Sequence, residues 1–249
     1  MKIATWNVNG IRARGPEVAD WIARERPDVL CLQEIKAAAD QVPARLVDAG
    51  EYVACWHGSK GYSGVAMLVR AASDRPRPVF SHPPFDYETR IVTAQIGSVV
   101  AASVYVPNGG KDFDAKLRFL DALAGEAAGH ARSGTPLIVC GDLNVTRTDL
   151  DVHPKERKPG AIGQRPDERA LLARLLDQGL VDLGRAVDPD NESLFTWWAP
   201  WRQMRQRNIG WRLDYILASA GLAGRIGSCR VDAAFGTSDH APVVAELDI

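Results

Sequence analysis

The chain has no paired cysteine motif, no membrane-length apolar run, no serine elbow, no phosphate-binding glycine loop and almost no net charge. Its four cysteines, Cys31, Cys55, Cys140 and Cys229, form no CxxC pair, and two lie in apolar strand-like runs. They read as reduced core residues of an intracellular protein, not as zinc ligands or a disulfide frame. No apolar stretch approaches the roughly 18 residues a membrane helix needs, and Met1 leads straight into a strand pattern. Neither a membrane anchor nor a signal peptide is expected, which places the chain in the cytoplasm. No serine sits in GxSxG, and Asn108-Gly109-Gly110-Lys111 lacks P-loop spacing. Covalent serine or cysteine catalysis and nucleotide cofactors therefore have no motif behind them. With 30 basic and 31 acidic residues, the net charge of −1 argues against coating nucleic acid by bulk electrostatics.

What is present is enough for a sizeable core, 249 residues of which 46% are hydrophobic. Alternation and β-branched content predict strands near 2–7, 28–33, 51–56, 64–69, 89–96, 99–106, 136–141, 213–218 and 242–248. Helices are expected from Pro16 at a first turn through Glu25, from Phe113 to Ala131, and from Pro166 to Gln178 with Gly179 as the stop. Strands mixed with helices, with adjacent strand pairs, imply two mixed sheets packed face to face with helices outside. Long polar connections at 70–78, 107–112, 153–167 and 185–209 read as surface loops. No low-complexity tract or short repeat interrupts the pattern.

Polar groups recur where these strands end. Leu137 to Cys140 lead to Gly141-Asp142-Leu143-Asn144; Lys2 to Trp6 lead to Asn7 and Asn9; Val29 to Leu32 lead to Gln33 and Glu34. Val99 to Val104 lead to Tyr105 and Asn108, Asp214 lies within an apolar run, and Ser238-Asp239-His240 precedes the last strand. Each alone fits an ordinary turn. Together they fit one site at the carboxyl ends of strands, where open α/β sheets bind ligands. Because that set runs from Asn7 to His240, one domain over residues 1–249 is expected.

Carboxylates at Glu34, Asp142, Asp214 and Asp239, amides at Asn7, Asn9 and Asn144, the Tyr105 phenol and the His240 imidazole suit a hard divalent cation such as Mg²⁺, with Mn²⁺ as the other choice. The reaction class they imply is metal-assisted hydrolysis of a phosphate ester, one carboxylate deprotonating water and the imidazole neutralising developing charge. On local grounds Asp239 is the partner that would fix the His240 tautomer. Arg202, Arg205, Arg207 and Arg212 form a basic cluster, as do Lys155, Arg157 and Lys158, and Arg12 with Arg14; a solvated face is the default for each.

Trp6-Asn7-Val8-Asn9-Gly10-Ile11-Arg12, Leu32-Gln33-Glu34-Ile35-Lys36, Tyr105-Val106-Pro107-Asn108, Gly141-Asp142-Leu143-Asn144, Trp211-Arg212-Leu213-Asp214-Tyr215 and Ser238-Asp239-His240-Ala241-Pro242 together resemble the exonuclease III family of apurinic/apyrimidinic DNA endonucleases. The blocks span almost the whole chain. The resemblance implies a four-layered α/β sandwich with two mixed sheets flanked by helices. It implies hydrolysis of the phosphodiester 5′ to an abasic site in duplex DNA, with 3′-to-5′ exonuclease and 3′-end-cleaning activities. By the same resemblance Glu34 is the principal metal ligand with Asn7 beside it, and Asn9 and Asp239 belong near the ion. Asp142 activates or orients water, Asn144 contacts the scissile phosphate, Tyr105 does likewise or assists the leaving group, and the partner of His240 becomes Asp214. Asn9 stands where some members carry an acid, which bears on metal affinity and on any second metal position.

Four of seven tryptophans, Trp197, Trp198, Trp201 and Trp211, fall in residues 197–211. A flipped abasic sugar offers little to hydrogen-bond, so an aromatic pocket that admits it and excludes a base is physically sensible. The resemblance puts Trp197, Trp211 and Leu213 in that pocket; Trp201 reads as a wedge toward the duplex and Trp198 as core, with a purely structural aromatic cluster as the alternative. Asn108, Lys111 and Arg12, with Lys155, Arg202 and Arg205, are expected against DNA; Glu88 and Arg90 are expected to buttress the site. The expected partner is duplex DNA with abasic sites or 3′ ends, bound by a monomer. The alternatives are a phosphodiesterase or phosphatase of the wider superfamily acting on another ester, and a DNA-binding module without catalysis; the complete polar set speaks against the second.

Overall fold

The computed structural model describes residues 1–47, 50–71 and 76–249. Its strands, in chain order, are β1 (Lys2–Asn7), β2 (Val29–Gln33), β3 (Tyr52–Ser59), β4 (Tyr62–Arg70), β5 (Val79–Ser81) and β6 (Ile91–Ile96). They continue as β7 (Val99–Tyr105), β8 (Leu137–Asp142), β9 (Leu180–Asp182), β10 (Asp214–Ser219), β11 (Ile226–Val231) and β12 (Val243–Leu247). Among the described residues these make two six-stranded sheets, β11-β12-β1-β2-β4-β3 and β5-β6-β7-β8-β10-β9. Each contains one parallel pair, β1 with β2 and β7 with β8, so both sheets are mixed as expected.

The helices are α1 (Ile11–Glu25), α2 (Ala44–Val47), α3 (Phe113–Ser133), α4 (Pro166–Leu176), α5 (Leu183–Val187) and α6 (Ala220–Ala223). Period-two alternation builds the layers. Ile3, Val29, Cys31, Ala101, Ile138 and Cys140 face inward between the sheets. Their neighbours Ala4, Leu30 and Leu32 turn outward against Val18, Trp21 and Ile22 of α1. On the far side, Val100, Ala102, Leu137 and Val139 meet Phe119, Leu120 and Leu123 of α3 and Leu172 and Leu175 of α4. Each fully buried Leu, Ile or Val in these layers contributes about 1.5–3 kcal/mol, and the three interfaces give the four-layered sandwich.

Two expectations change. The first helix begins at Ile11, not at Pro16, because the Gly10 and Ile11 amides donate to the carbonyls of Glu34 (2.7 Å) and Ile35 (2.9 Å) beyond β2. Those bonds satisfy N–H groups that a helix start otherwise leaves open, so Pro16 lies within the helix. The strands β5, β9 and β11 had no counterpart in the sequence reading. All three are edge strands; β5 and β9, of three residues each, are too short for a period-two pattern to register, and β11 is half-exposed along its length, which erases the apolar alternation. The loop expected at 70–78 includes residues 72–75, which lie outside the described residues. All four cysteines are free. Among the described residues no helix is long and apolar enough to cross a membrane.

Candidate active site

Strand register brings the polar ends together. Asn7 and Gln33 are partners at the ends of β1 and β2, and Glu34 follows immediately. In the other sheet Asp142, at the end of β8, is opposite Tyr105 of parallel β7 and opposite Asp214 of antiparallel β10. Asp142 is thus flanked by both. Gly141 before it has no tolerable substitute, since a Cβ there would lie 1.9 Å from the Val104 carbonyl oxygen. The hydroxyl of Thr196 accepts both the Leu213 and Asp214 amides at 3.0 Å, fixing the entry into β10. Backbone strain concentrates here: Asn9, Glu34, Lys36 and Asn144 all have φ between 46° and 52°.

The side chains form one network. Asn7 Nδ2 donates to Glu34 Oε1 and to Asp142 Oδ2, both at 2.9 Å, tying a carboxylate from each sheet to one amide. The Asn144 backbone amide donates to Asp142 Oδ1 at 2.9 Å, and its side-chain Nδ2 donates to the Val106 carbonyl at 2.9 Å and to Asp142 Oδ2 at 3.3 Å. His240 Nδ1 lies 2.8 Å from Asp214 Oδ2, and Nε2 lies 3.8 Å from Asp142 Oδ2. Asp239 instead accepts from Asn9 Nδ2 at 2.9 Å and Trp197 Nε1 at 3.0 Å. The ring partner suggested by adjacency is therefore replaced by Asp214, because both oxygens of Asp239 are drawn to the Asn9 amide and the Trp197 indole.

Burial and charge set the protonation states. Burial pushes the Asp142 carboxyl up, the negative Asp214 and Glu34 push it further, and His240 and Asn7 only partly offset them; it reaches about 7. Burial alone would lower His240, but the carboxylates of Asp214 and Asp142 outweigh it and carry the imidazole to about 10. Burial likewise works against ionised Glu34, yet the hydrogen bonds from Asn7 and Lys36 and the charges of Lys36 and His240 hold it below the usual carboxylate value. Burial, then Glu34 and Asp142, raise the Tyr105 phenol, which stays protonated. The site therefore holds a proton acceptor poised near neutrality beside a persistent imidazolium.

The donor set fits a hard divalent cation. One atom each of Glu34, Asp142 and His240 lies within 4.8 Å of the others, and with the imidazole protonated the carboxylates are left to hold the ion. On its outer side Glu34 Oε2 already gathers a cation, the Lys36 ammonium at 2.8 Å, which also donates to Asn9 Oδ1 at 2.6 Å. Carboxylate oxygens without a free imidazole or thiolate suit Mg²⁺ or Mn²⁺ better than zinc. Asn7 has its oxygen on the Asn9 amide (3.0 Å) and its NH₂ between two carboxylates, so it braces the Glu34 ligand. Asn9 bridges Lys36 and Asp239.

Beside the imidazole, Trp197 and Trp211 meet edge to face at 5.8 Å, with Trp197 6.4 Å from His240. Leu213 is buried, Trp198 lies in a small core with Phe195 and Met204, and Trp201 is exposed. Asn108 and Lys111 line a groove of about 510 Å³ that also includes Arg90. Arg90 pairs with Glu88 at 2.8 Å and stacks over Tyr105 at 4.7 Å, the buttress expected of that segment. Arg12, Lys155 and Arg202 are exposed on the surface.

Two basic residues are corrected. The Arg205 guanidinium, read as a phosphate contact, donates to the carbonyls of Ala233, Phe235, Gly236 and Ser238 at 2.6–3.3 Å. It pins the loop that delivers Asp239 and His240. Arg212, grouped with the solvated cluster, is buried between Asp151 (2.8 Å) and Asp182 (2.7 Å). Sequence reading also missed Lys116, wholly buried, paired with Glu168 and donating to the Asn144 carbonyl at 2.6 Å. Its position on the apolar face of α3, one residue after the buried Ala115, was the available signal.

Comparison with known proteins follows the same lines. A model of the Endonuclease/Exonuclease/phosphatase family matches residues 4–240. The chain is 36% identical to the DNA repair nuclease APEX1 of Danio rerio over a 269-residue alignment covering all of this chain and 83% of that protein. Among solved structures, the 3′ phosphatase NExo from Neisseria bound to product DNA hairpin superposes with a TM-score of 0.91 at 34% identity, covering 100% of both chains. An AP endonuclease from Archaeoglobus fulgidus superposes with a TM-score of 0.88 at 32% identity, again covering 100% of both.

Proposed function

The chain belongs to the endonuclease/exonuclease/phosphatase family and is a hydrolytic nuclease of DNA repair, and on that footing we propose that it cleaves the phosphodiester 5′ to abasic sites in duplex DNA with Mg²⁺. The observation that carries the lesion preference is the Trp197–Trp211 pair with Trp197 beside His240, an aromatic surface next to the catalytic imidazole that suits a sugar without a base. Removal of 3′-terminal blocks and 3′-to-5′ exonucleolysis need the same bond chemistry at a strand end. The likeness to the 3′ phosphatase NExo favours that second reading.

The family works with a divalent metal. Glu34 would hold it, with Asp142 and Asp239 nearby, and when bound it would polarise the phosphoryl oxygens and neutralise their charge. The remaining work falls to the chain's own groups. Asp142 takes a proton from the attacking water as the oxygen bonds to phosphorus, a task matched to an acceptor poised near 7. His240, kept charged by Asp214, stabilises the negative charge gathering on the phosphoryl oxygens. The phosphorus–O3′ bond breaks, and the leaving oxygen becomes a 3′-hydroxyl on taking a proton. Tyr105 retains its proton and serves as a donor to the phosphate or to that oxygen. Asn7 and Asn144 hold Asp142 in place throughout.

The test uses a 5′-labelled duplex with one tetrahydrofuran abasic site, an undamaged duplex and a 3′-phosphate primer, each with Mg²⁺. Incision 5′ to the analogue, leaving a 3′-hydroxyl, is the expected result. Hydrolysis of the 3′-phosphate with no incision would replace this reading with the second one. Trp211→Ala should impair incision at the analogue about tenfold more than exonucleolysis of an ordinary 3′ end; equal losses would remove the tryptophan pair from lesion recognition.

A further inference from the structure

We propose that His57, His82 and Asp86 form a second metal site, for a borderline transition metal of the zinc class, that ties the edge of one sheet to a loop of the other. His57 is on β3, the edge strand of the first sheet; His82 follows β5, the edge strand of the second; Asp86 lies in the connection from β5 to β6. One ring nitrogen from each histidine and one Asp86 oxygen lie within 4.8 Å of one another. The two imidazoles stack with centroids 3.8 Å apart and planes inclined by 28°.

Both ends of the cluster carry the supporting bonds that orient metal ligands. Asp86 Oδ1 accepts the Arg90 amide at 2.8 Å and the Ile91 amide at 3.2 Å, so Oδ2 is turned to His57 Nε2 at 2.5 Å. His82 Nδ1 is 3.2 Å from the Ile91 carbonyl, which selects the tautomer with its lone pair on Nε2. An ordinary histidine–aspartate pair accounts for His57 and Asp86, and the stacked rings keep a second imidazole, on the exposed side, within reach of the same ion. A shared cation would draw on all three once the His82 ring tilts out of the stack to bring its in-plane lone pair onto the metal.

Tetrahedral zinc, at about 2.0–2.1 Å from each ligand, separates two ligand atoms by about 3.3 Å. The His57–Asp86 contact must open by less than about 1 Å, with the metal replacing the proton now between them, and the exposed His82 ring must swing out by more than about 1 Å, since two imidazoles on one tetrahedral ion hold their centroids about 5 Å apart. Two imidazoles and one carboxylate favour Zn²⁺, Co²⁺, Ni²⁺ or Cu²⁺ over Mg²⁺, which distinguishes this cluster from the oxygen-rich set around Glu34. Water would complete the shell on the exposed side. The loop so clamped runs on to Arg90, which stacks over Tyr105, so occupancy would stiffen the frame behind the active-site phenol.

The experiment titrates the full-length chain with Co²⁺, read by its visible d–d absorption, and with Zn²⁺ by calorimetry, both with millimolar Mg²⁺ present. One saturable equivalent is expected, unchanged in Glu34→Gln and weakened at least about tenfold in His82→Ala and in His57→Gln. His82 is exposed, so its variant should keep the wild-type circular dichroism. Absence of saturable binding up to about 1 mM, or binding that survives His82→Ala and disappears in Glu34→Gln, would overturn the proposal.

Discussion

The carboxylate of Asp214 meets Nδ1 of His240 at 2.8 Å, while Nε2 of the same ring faces Asp142 at 3.8 Å. One imidazole is therefore held between two acids, with the firmer bond on the side away from the proton acceptor. Asp214→Asn would place an amide where an ionised acceptor is needed, losing both the charge and the tautomer it selects. Single-turnover cleavage of the abasic duplex should fall by about two orders of magnitude or more, as it should for His240→Ala and Asp142→Asn. Rapid-quench measurement on variants with native circular dichroism checks this; near-normal rates would remove the dyad from the mechanism.

Arg205 offers a sharper discrimination because two roles compete for it. If it pins residues 233–238, Arg205→Ala should slow the cleavage step about tenfold or more while leaving the salt dependence of duplex affinity unchanged. A phosphate contact would instead reduce the slope of log affinity against log salt by about 1. Fluorescence anisotropy across a salt series, alongside single-turnover rates, separates the two. Arg205→Lys should not restore the rate, since an ammonium cannot reach all four carbonyls.

Lys116 and Glu168 are both fully enclosed, and each serves a loop: Lys116 holds the Asn144 carbonyl, and Glu168 accepts the Gly163 and Arg165 amides. Lys116→Met leaves a buried carboxylate without its counter-charge and should lower the unfolding free energy by about 3–5 kcal/mol. Adding Glu168→Gln should recover part of that loss, because glutamine still accepts the two amides. Urea denaturation of the single and double variants reads the coupling directly; strictly additive losses would mean the pair is not a unit.

Acid sensitivity should trace to Asp151. Burial by itself raises its carboxyl, but the charge and hydrogen bonds of Arg212, joined by Arg185, hold it below the usual range. A carboxyl depressed by folding stabilises fully above its unfolded value, about 3.9, and that contribution fades as pH falls through the folded value. Asp151→Asn should therefore be about 3 kcal/mol less stable than wild type at pH 7, with the gap narrowing as pH drops below about 4. Denaturation curves over pH 3–7 test it; a gap independent of pH would deny the carboxylate charge its role.

Much of the site was legible because strand ends are local. Asn7, Glu34, Tyr105 and Asp142 each follow an apolar run, and a sheet that aligns such runs must bring their ends together. The partners of Arg205 and Arg212 were not legible, because they arrive from far along the chain: Asp151 is 61 residues from Arg212, and the Ser238 carbonyl is 33 from Arg205. A run of arginines looks the same in sequence whether it faces solvent or folds onto buried acids and carbonyls. The edge strands β5, β9 and β11 were lost for the opposite reason, being local but too short or too half-exposed to show a period. Lys36 lay within a quoted motif, yet nothing in the motif says that its ammonium returns to Glu34.

The pairing of β1 with both β2 and β12 has a consequence for the order in which the enzyme comes into being. Asn7 and Glu34 leave the ribosome before Asp142, and Asp142 before His240 and β12. Until then β1 has one flank open, the Trp6 indole lacks the His240 carbonyl it donates to, and the Asn7 carbonyl lacks the Ser238 hydroxyl. A nascent chain that has released β10 but not β12 thus holds Glu34, Asp142 and Asp214 without the imidazole that the cleavage step uses.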